Sequence, residues 1–133
     1  MRLTDHTDYS LRVLMSLNQT KSLATLSELS ENLGISRNNL IKVSNQLVKF
    51  GYVDAFRGRS GGLKIKPETG RVSLREIVLR TEENLNLAEC FSGKDCDCVF
   101  LPRCPLKRSL ASALKAFLQT LGQTSLDDVT PSA

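Results

Sequence analysis

Apolar residues recur at helical spacing three times within the first fifty positions. In TDYSLRVLMSLNQ, Tyr9, Leu11, Val13, Leu14 and Leu17 fall on or near one stripe, with Thr7 or Asp8 placed to cap the start. LATLSELSENLG repeats the pattern over a shorter span, with Thr25 or Ser27 as the opening cap and Gly34 as the stop. In ISRNNLIKVSNQLVKFG, Leu40, Val43, Leu47 and Phe50 share a face, Ser36 is a strong N-cap, and Gly51 ends the run. The period then changes. YVDAFRGRSGGLKIKP predicts a hairpin: Tyr52, Val53 and Phe56 favour a strand, RGRSGG turns the chain, and LKIK alternates on the way back.

Two short helices joined by LGIS form a helix-turn-helix, and the basic, glycine-rich hairpin directly behind them is a wing. VSLREIVLRTEENLNL predicts a further helix capped by Ser73. PLKRSLASALKAFLQTLG predicts a long last helix with Pro105 in its first turn, and Leu106, Leu110, Ala113, Leu114, Phe117, Leu118 and Leu121 give it a broad apolar face. A face of that breadth, appended to a domain that is already complete, is expected to pair with a second copy. The tail QTSLDDVTPSA reads as a short turn or frayed end. The expected architecture is mainly α: a winged helix-turn-helix DNA-binding domain over residues 1–82, with a small β-hairpin wing, then a cysteine loop and a long C-terminal dimerisation helix over residues 83–133.

Composition agrees with a small helical protein whose packing is carried by aliphatic residues: 133 residues, 41% hydrophobic, 5% aromatic and no Trp. Charge sharpens the functional reading. Residues 1–66 hold ten Lys or Arg against five Asp or Glu, whereas residues 67–133 hold eight against nine, so the positive charge belongs to the wing-bearing half. Double-stranded DNA is the polyanion that such a surface suits. Ser36, Arg37, Asn38 and Asn39 open the second helix of the pair, where side chains meet base edges, with Asn suited to adenine and Arg to guanine. Lys42 and Lys49 are placed for phosphates, and Arg57 and Arg59 at the wing tip for an adjacent minor groove. Asn38 and Asn39 also suit simple capping of the helix start. The N-terminal segment is interrupted by Asp5, Asp8 and Arg12, and no apolar run approaches the ~20 residues of a membrane span, so a cytoplasmic location is expected.

All four cysteines lie in AECFSGKDCDCVFLPRC, with five, one and five residues between successive members Cys90, Cys96, Cys98 and Cys104. In a reducing compartment clustered thiols are metal or redox groups before they are disulfides. Structural zinc sites use pairs separated by two to four residues, and none occurs here. Wide spacing suits an iron–sulfur cluster, whose usual ligands are thiolates. A cluster-free thiol switch, and zinc in an assembly module, remain alternatives at this point. Catalysis is excluded on residue type: a cysteine nucleophile needs a base, His6 is the only histidine, and no phosphate-binding loop or dinucleotide fingerprint is present.

MRLTDHTDYSLRVLM, GISRNNLIKVSNQL, FRGRSGGLKI and LAEC with its following cysteines, in that order over roughly residues 1–130, resemble the Rrf-type family of bacterial iron–sulfur transcription regulators. Its nitric-oxide-sensing repressors are the nearest branch. The resemblance implies a homodimer on a palindromic operator, nitric oxide as the signal, and a cluster, 4Fe–4S in preference to 2Fe–2S. It also implies Cys90, Cys98 and Cys104 as ligands, with Asp8 from the partner subunit as the fourth. Cys96 is then an extra thiol, or an alternative ligand in place of Cys98. The competing role for Asp8 is a helix cap. Another branch uses a histidine three residues after the last cysteine, where this chain has Lys107. An iron-responsive branch shares the gap between Cys90 and Cys98 and is the alternative reading, alongside a redox-responsive regulator.

Overall fold

The computed structural model describes residues 1–133. Helix α1 spans Asp5–Thr20, α2 Leu26–Leu33 and α3 Arg37–Lys49. A two-stranded antiparallel hairpin of β1, Val53–Phe56, and β2, Gly62–Ile65, follows them. Then come α4, Leu74–Thr81, the long α5, Pro105–Gly122, and a short α6, Leu126–Val129. The protein is therefore mainly α with a small wing, the fold class its periodicities predict.

Leu14, Leu17, Leu40, Val43 and Leu47 are completely or almost completely buried, which joins α1 to α3; Leu29 and Ile35 bring in α2 and its turn. The caps are local and strong. Thr25 and Glu28 form a reciprocal capping box on α2, and Ser36 accepts the Asn39 N–H to start α3. Gly34, at φ 65°, ends α2 in the left-handed region, where an L side chain would be strained.

Register in the wing runs Val53↔Ile65, Asp54↔Lys64, Ala55↔Leu63 and Phe56↔Gly62. Leu63 and Ile65 point inward, whereas Asp54, Ala55 and Phe56 are exposed. Ala24 exchanges both backbone hydrogen bonds with Leu63, at 2.9 and 2.8 Å, a one-residue third strand that pins the wing to the start of α2. The glycines make this approach possible: a Cβ on Gly61 would lie 2.2 Å from the Phe56 carbonyl oxygen, and one on Gly62 2.2 Å from that of Ala24.

Three local expectations are corrected. The cap of α1 is neither Thr7 nor Asp8. It is Thr4, whose hydroxyl accepts the Thr7 N–H at 3.3 Å, so the helix begins almost a full turn earlier and Thr7 is buried inside it. Helix α4 stops at Thr81 instead of continuing through EENLNL. Glu82 turns extended, and two adjacent acids at a helix C-terminus oppose its dipole. The tail is not frayed. Ser125 and Asp128 form a second capping box, and Leu126 is fully buried in the core beside α1. Leu126 N–H donates to the Val72 carbonyl at 2.9 Å, and Asn18 on α1 donates to Asp127 and Thr130 at 2.8 and 2.9 Å.

Candidate nucleic-acid interface and metal-binding loop

The exposed side of α3 and the wing carry the predicted DNA-facing residues. Ser36, Arg37, Asn38, Lys42 and Lys49 are exposed, Asn39 is half-buried, and Arg57 and Arg59 are exposed at the wing tip. Cap duty on α3 falls to the Ser36 hydroxyl, so Asn38 and Asn39 do not cap the helix with their side chains. The Arg37 guanidinium reaches across to the Ser27 hydroxyl of α2 at 3.2 Å, which draws it along the protein surface. Positive charge, helix start and wing therefore share one face.

Three contacts connect that face to the rest of the chain, and no spacing along the chain signals them. His6 Nε2 hydrogen-bonds the Gln46 side chain, tying the first turn of α1 to the middle of α3. Arg80, near the end of α4, donates to the Phe50 carbonyl at 3.2 Å, and its guanidinium lies 5.5 Å from the ring centres of both Phe50 and Tyr52. Tyr52 in turn donates to Glu76 on α4 at 2.5 Å. Burial first, and the Glu76 hydrogen bond second, push the Tyr52 phenol well above its ordinary pKa. The C-terminus of α3 and the root of the wing are thus clamped to α4.

Beyond α4 the chain enters the cysteine segment, whose only regular structure before α5 is a 3₁₀ turn at Glu89–Phe91. Cys90 sits in that turn, half-buried; Cys96 is half-buried, Cys98 exposed, and Cys104 half-buried as the N-cap of α5. All four thiols are free, and the Cys104 sulfur accepts the Lys107 N–H at 3.4 Å. No three His, Cys, Asp or Glu side chains converge on one point of the chain. The donor set nevertheless fits an iron–sulfur cluster in its chemistry: free thiols, the usual ligands of such a cluster, on a segment with little regular structure.

Asp8 lies in the first turn of α1, half-exposed, with its carboxylate paired to Arg12 four residues on. This ion pair, its hydrogen bond above all, holds the Arg12 guanidinium above its ordinary pKa. Asp8 is not the helix cap, so no structural duty of that kind competes for its oxygens.

On α5 no residue is buried. One side rests on α4 and its 3₁₀ neighbour, where Arg75, Phe91, Leu114 and Leu118 line a shallow groove. The rest, with Leu106 and Phe117, faces outward. Arginine, lysine and asparagine on a helix-turn-helix, a wing behind it and a long unburied helix define a winged-helix nucleic-acid-binding protein.

The Rrf2 family, described as "Iron-dependent Transcriptional regulator", matches residues 3–132, and the chain belongs to it. It is 40% identical over 131 residues to the HTH-type transcriptional regulator NsrR of Bacillus licheniformis, covering 97% of this chain and 92% of that one. The NsrR of Bacillus subtilis is 39% identical, with 97% and 90% covered. Among solved structures, oxidised CymR of Staphylococcus aureus superimposes with a TM-score of 0.74 at 18% identity over 100% of this chain and 98% of that one. IscR of T. potens gives 0.71 at 20%, over 96% and 85%. The chain is a transcription regulator and not an enzyme. No helix is long and apolar enough to cross a membrane.

Proposed function

We propose that the protein is a cytoplasmic, homodimeric transcriptional repressor that senses nitric oxide through an iron–sulfur cluster, 4Fe–4S in preference to 2Fe–2S. Residues 1–82 read operator DNA, and residues 83–133 carry the cluster loop and the dimer helix, with residues 124–130 returned onto the reading unit. Cys90, Cys98 and Cys104 of one subunit and Asp8 of the other are the ligands, and Cys96 is held in reserve. The cluster supplies iron sites open to nitric oxide, the one held by carboxylate being more open than those held by thiolate.

The observation that carries this reading is the setting of Asp8. It does not cap α1, its half-exposed carboxylate pairs only with Arg12 on its own helix, and it lies two residues from His6, which bonds Gln46 on α3. While the partner's cysteine segment holds Asp8, α1 and α3 keep their alignment and two reading helices keep half-site spacing. When Asp8 is let go, it returns to Arg12 and α3 loses that restraint. The coupling required is only a few kcal/mol. Relatives 39 and 40% identical that are named NsrR support the branch.

The test is a nitric-oxide titration of anaerobically purified protein that follows the visible spectrum and operator binding together. Loss of the sulfur-to-iron absorption in step with loss of DNA affinity is the expected result. Bleaching that leaves DNA binding intact overturns the mechanism.

The family description, "Iron-dependent", favours a second reading as an iron-responsive regulator. In that case DNA affinity follows iron depletion and ignores nitric oxide.

A further inference from the structure

The reading face of α3 is not wholly polar. Ile41 is 41% exposed there, and Phe56, on the outer face of β1, is 52% exposed. Both line one groove between α3 and the wing, together with Arg37, Asn45 and Arg59. A single exposed apolar residue needs no explanation, but two lining one groove rimmed by cations call for a ligand. The charge selects a polyanion and the apolar pair selects methyl groups on its edge. Duplex DNA offers both, because thymine alone among the bases presents a C5-methyl in the major groove.

Position on the helix agrees. Ile41 follows Arg37 by one turn, near the start of α3, where a reading helix contacts base edges. Gly62 lets β2 pass close to Ala24, just before α2, Gly61 lets the wing turn pass close to the Phe56 carbonyl, and Phe56 lines the same groove. We infer that Ile41, backed by Phe56, is a specificity-determining residue that recognises the methyl group of a thymine in each half-site. The inference rests on the DNA-reading part of the proposed function and adds to it the chemistry that is read.

Anaerobic, cluster-loaded protein is first used to select duplexes from a random library. Each thymine of the selected site is then replaced singly by deoxyuridine, which removes only the methyl, and affinity is followed by fluorescence anisotropy. Burial of one methyl group corresponds to roughly a fourfold change in affinity. The expected result is a loss of about that size at one position per half-site, absent in Ile41→Ala and reduced in Phe56→Ala, with both variants keeping the wild-type melting temperature. Sequence enrichment without any thymine–deoxyuridine difference overturns this inference and leaves the DNA-reading function standing. A difference that persists in Ile41→Ala also overturns it. Unchanged discrimination with a changed oligomeric state in Ile41→Ala assigns the groove to a protein partner. Failure to enrich any sequence overturns the underlying function as well.

Discussion

The carboxylate of Glu82 accepts a hydrogen bond from the backbone N–H of Thr4 at 2.7 Å, across 78 residues of sequence. Thr4 is the N-cap of α1 and Glu82 the C-cap of α4. In an ordinary capping box the acid sits three residues into the same helix. Here that position is Thr7, and the acid comes from another helix, at the point where the chain departs toward the cysteines. Glu82→Ala is expected to lower stability by about 1 kcal/mol, and Glu82→Gln by less, because an amide oxygen still accepts. Hydrogen exchange checks the location: amides in the first turns of α1 should exchange faster in Glu82→Ala, while those in the middle of α3 should not.

Leu126 is fully buried between α1 and the segment preceding α4. Leu126→Ala removes a core side chain and should cost about 2–5 kcal/mol. Deleting everything after Gln123 should do at least as much harm, because it also strips Asn18 of its partners. Urea denaturation decides the matter. A deletion variant with wild-type stability would show that the tail is dispensable.

The sequence disclosed the helices and wing because their signals are local: Ser36 and Gly34 at helix ends, alternation in LKIK, glycines where backbones meet. The tail had a local signal too, since Ser125 and Asp128 have capping-box spacing, but a single apolar residue between turns gives no periodicity. The Glu82–Thr4 bond and the contacts of Arg80 join residues tens of positions apart, and nothing in one-dimensional spacing records them. Candidate DNA-facing residues were legible from charge and helix start. The role of Ile41 was not, because an isoleucine at helical spacing reads as ordinary packing until its exposure is known.

Tyr52 predicts an alkaline effect. Its phenol has a folded pKa raised above the unfolded value of 10.0 by burial and by Glu76. The protonated form is therefore favoured by folding. Its contribution is complete below the unfolded pKa and is lost as pH rises through the folded one. Wild type should exceed Tyr52→Phe in stability at pH 8, and the margin should shrink above about pH 10. Unfolding midpoints in urea at the two ends of that range provide the check; a margin independent of pH would remove the argument.

Helix α5 leaves Leu106 and Phe117 exposed although it is 18 residues long and lacks any acidic residue. Pairing with a second copy would cover them. Phe117→Glu, combined with Leu110→Glu, should give a monomer by sedimentation with unchanged helical circular dichroism. Because a palindromic site needs both reading helices, operator affinity should fall steeply, by a factor of ten or more on the order expected when one half-site is lost. A doubly substituted protein that remains dimeric would place the subunit contact elsewhere.

Cys96 and Cys98 differ by two positions and offer the sharpest test of the ligand frame. Cys98 is exposed and separated by five residues from Cys104, whose sulfur caps the start of α5 by accepting the Lys107 N–H. Cys96 is half-buried and flanked in the chain by Asp95 and Asp97. After anaerobic reconstitution, Cys96→Ser should keep its iron, sulfide and visible absorption, whereas Cys98→Ser should lose most of all three. If Cys96→Ser is the colourless variant, the middle ligand is Cys96 and the spacing to Cys104 is not the fixed element. If each single variant stays coloured and only the double variant bleaches, the two thiols substitute for one another. That outcome would make Cys96 a working reserve, a fourth thiol beside the three of the proposed cluster.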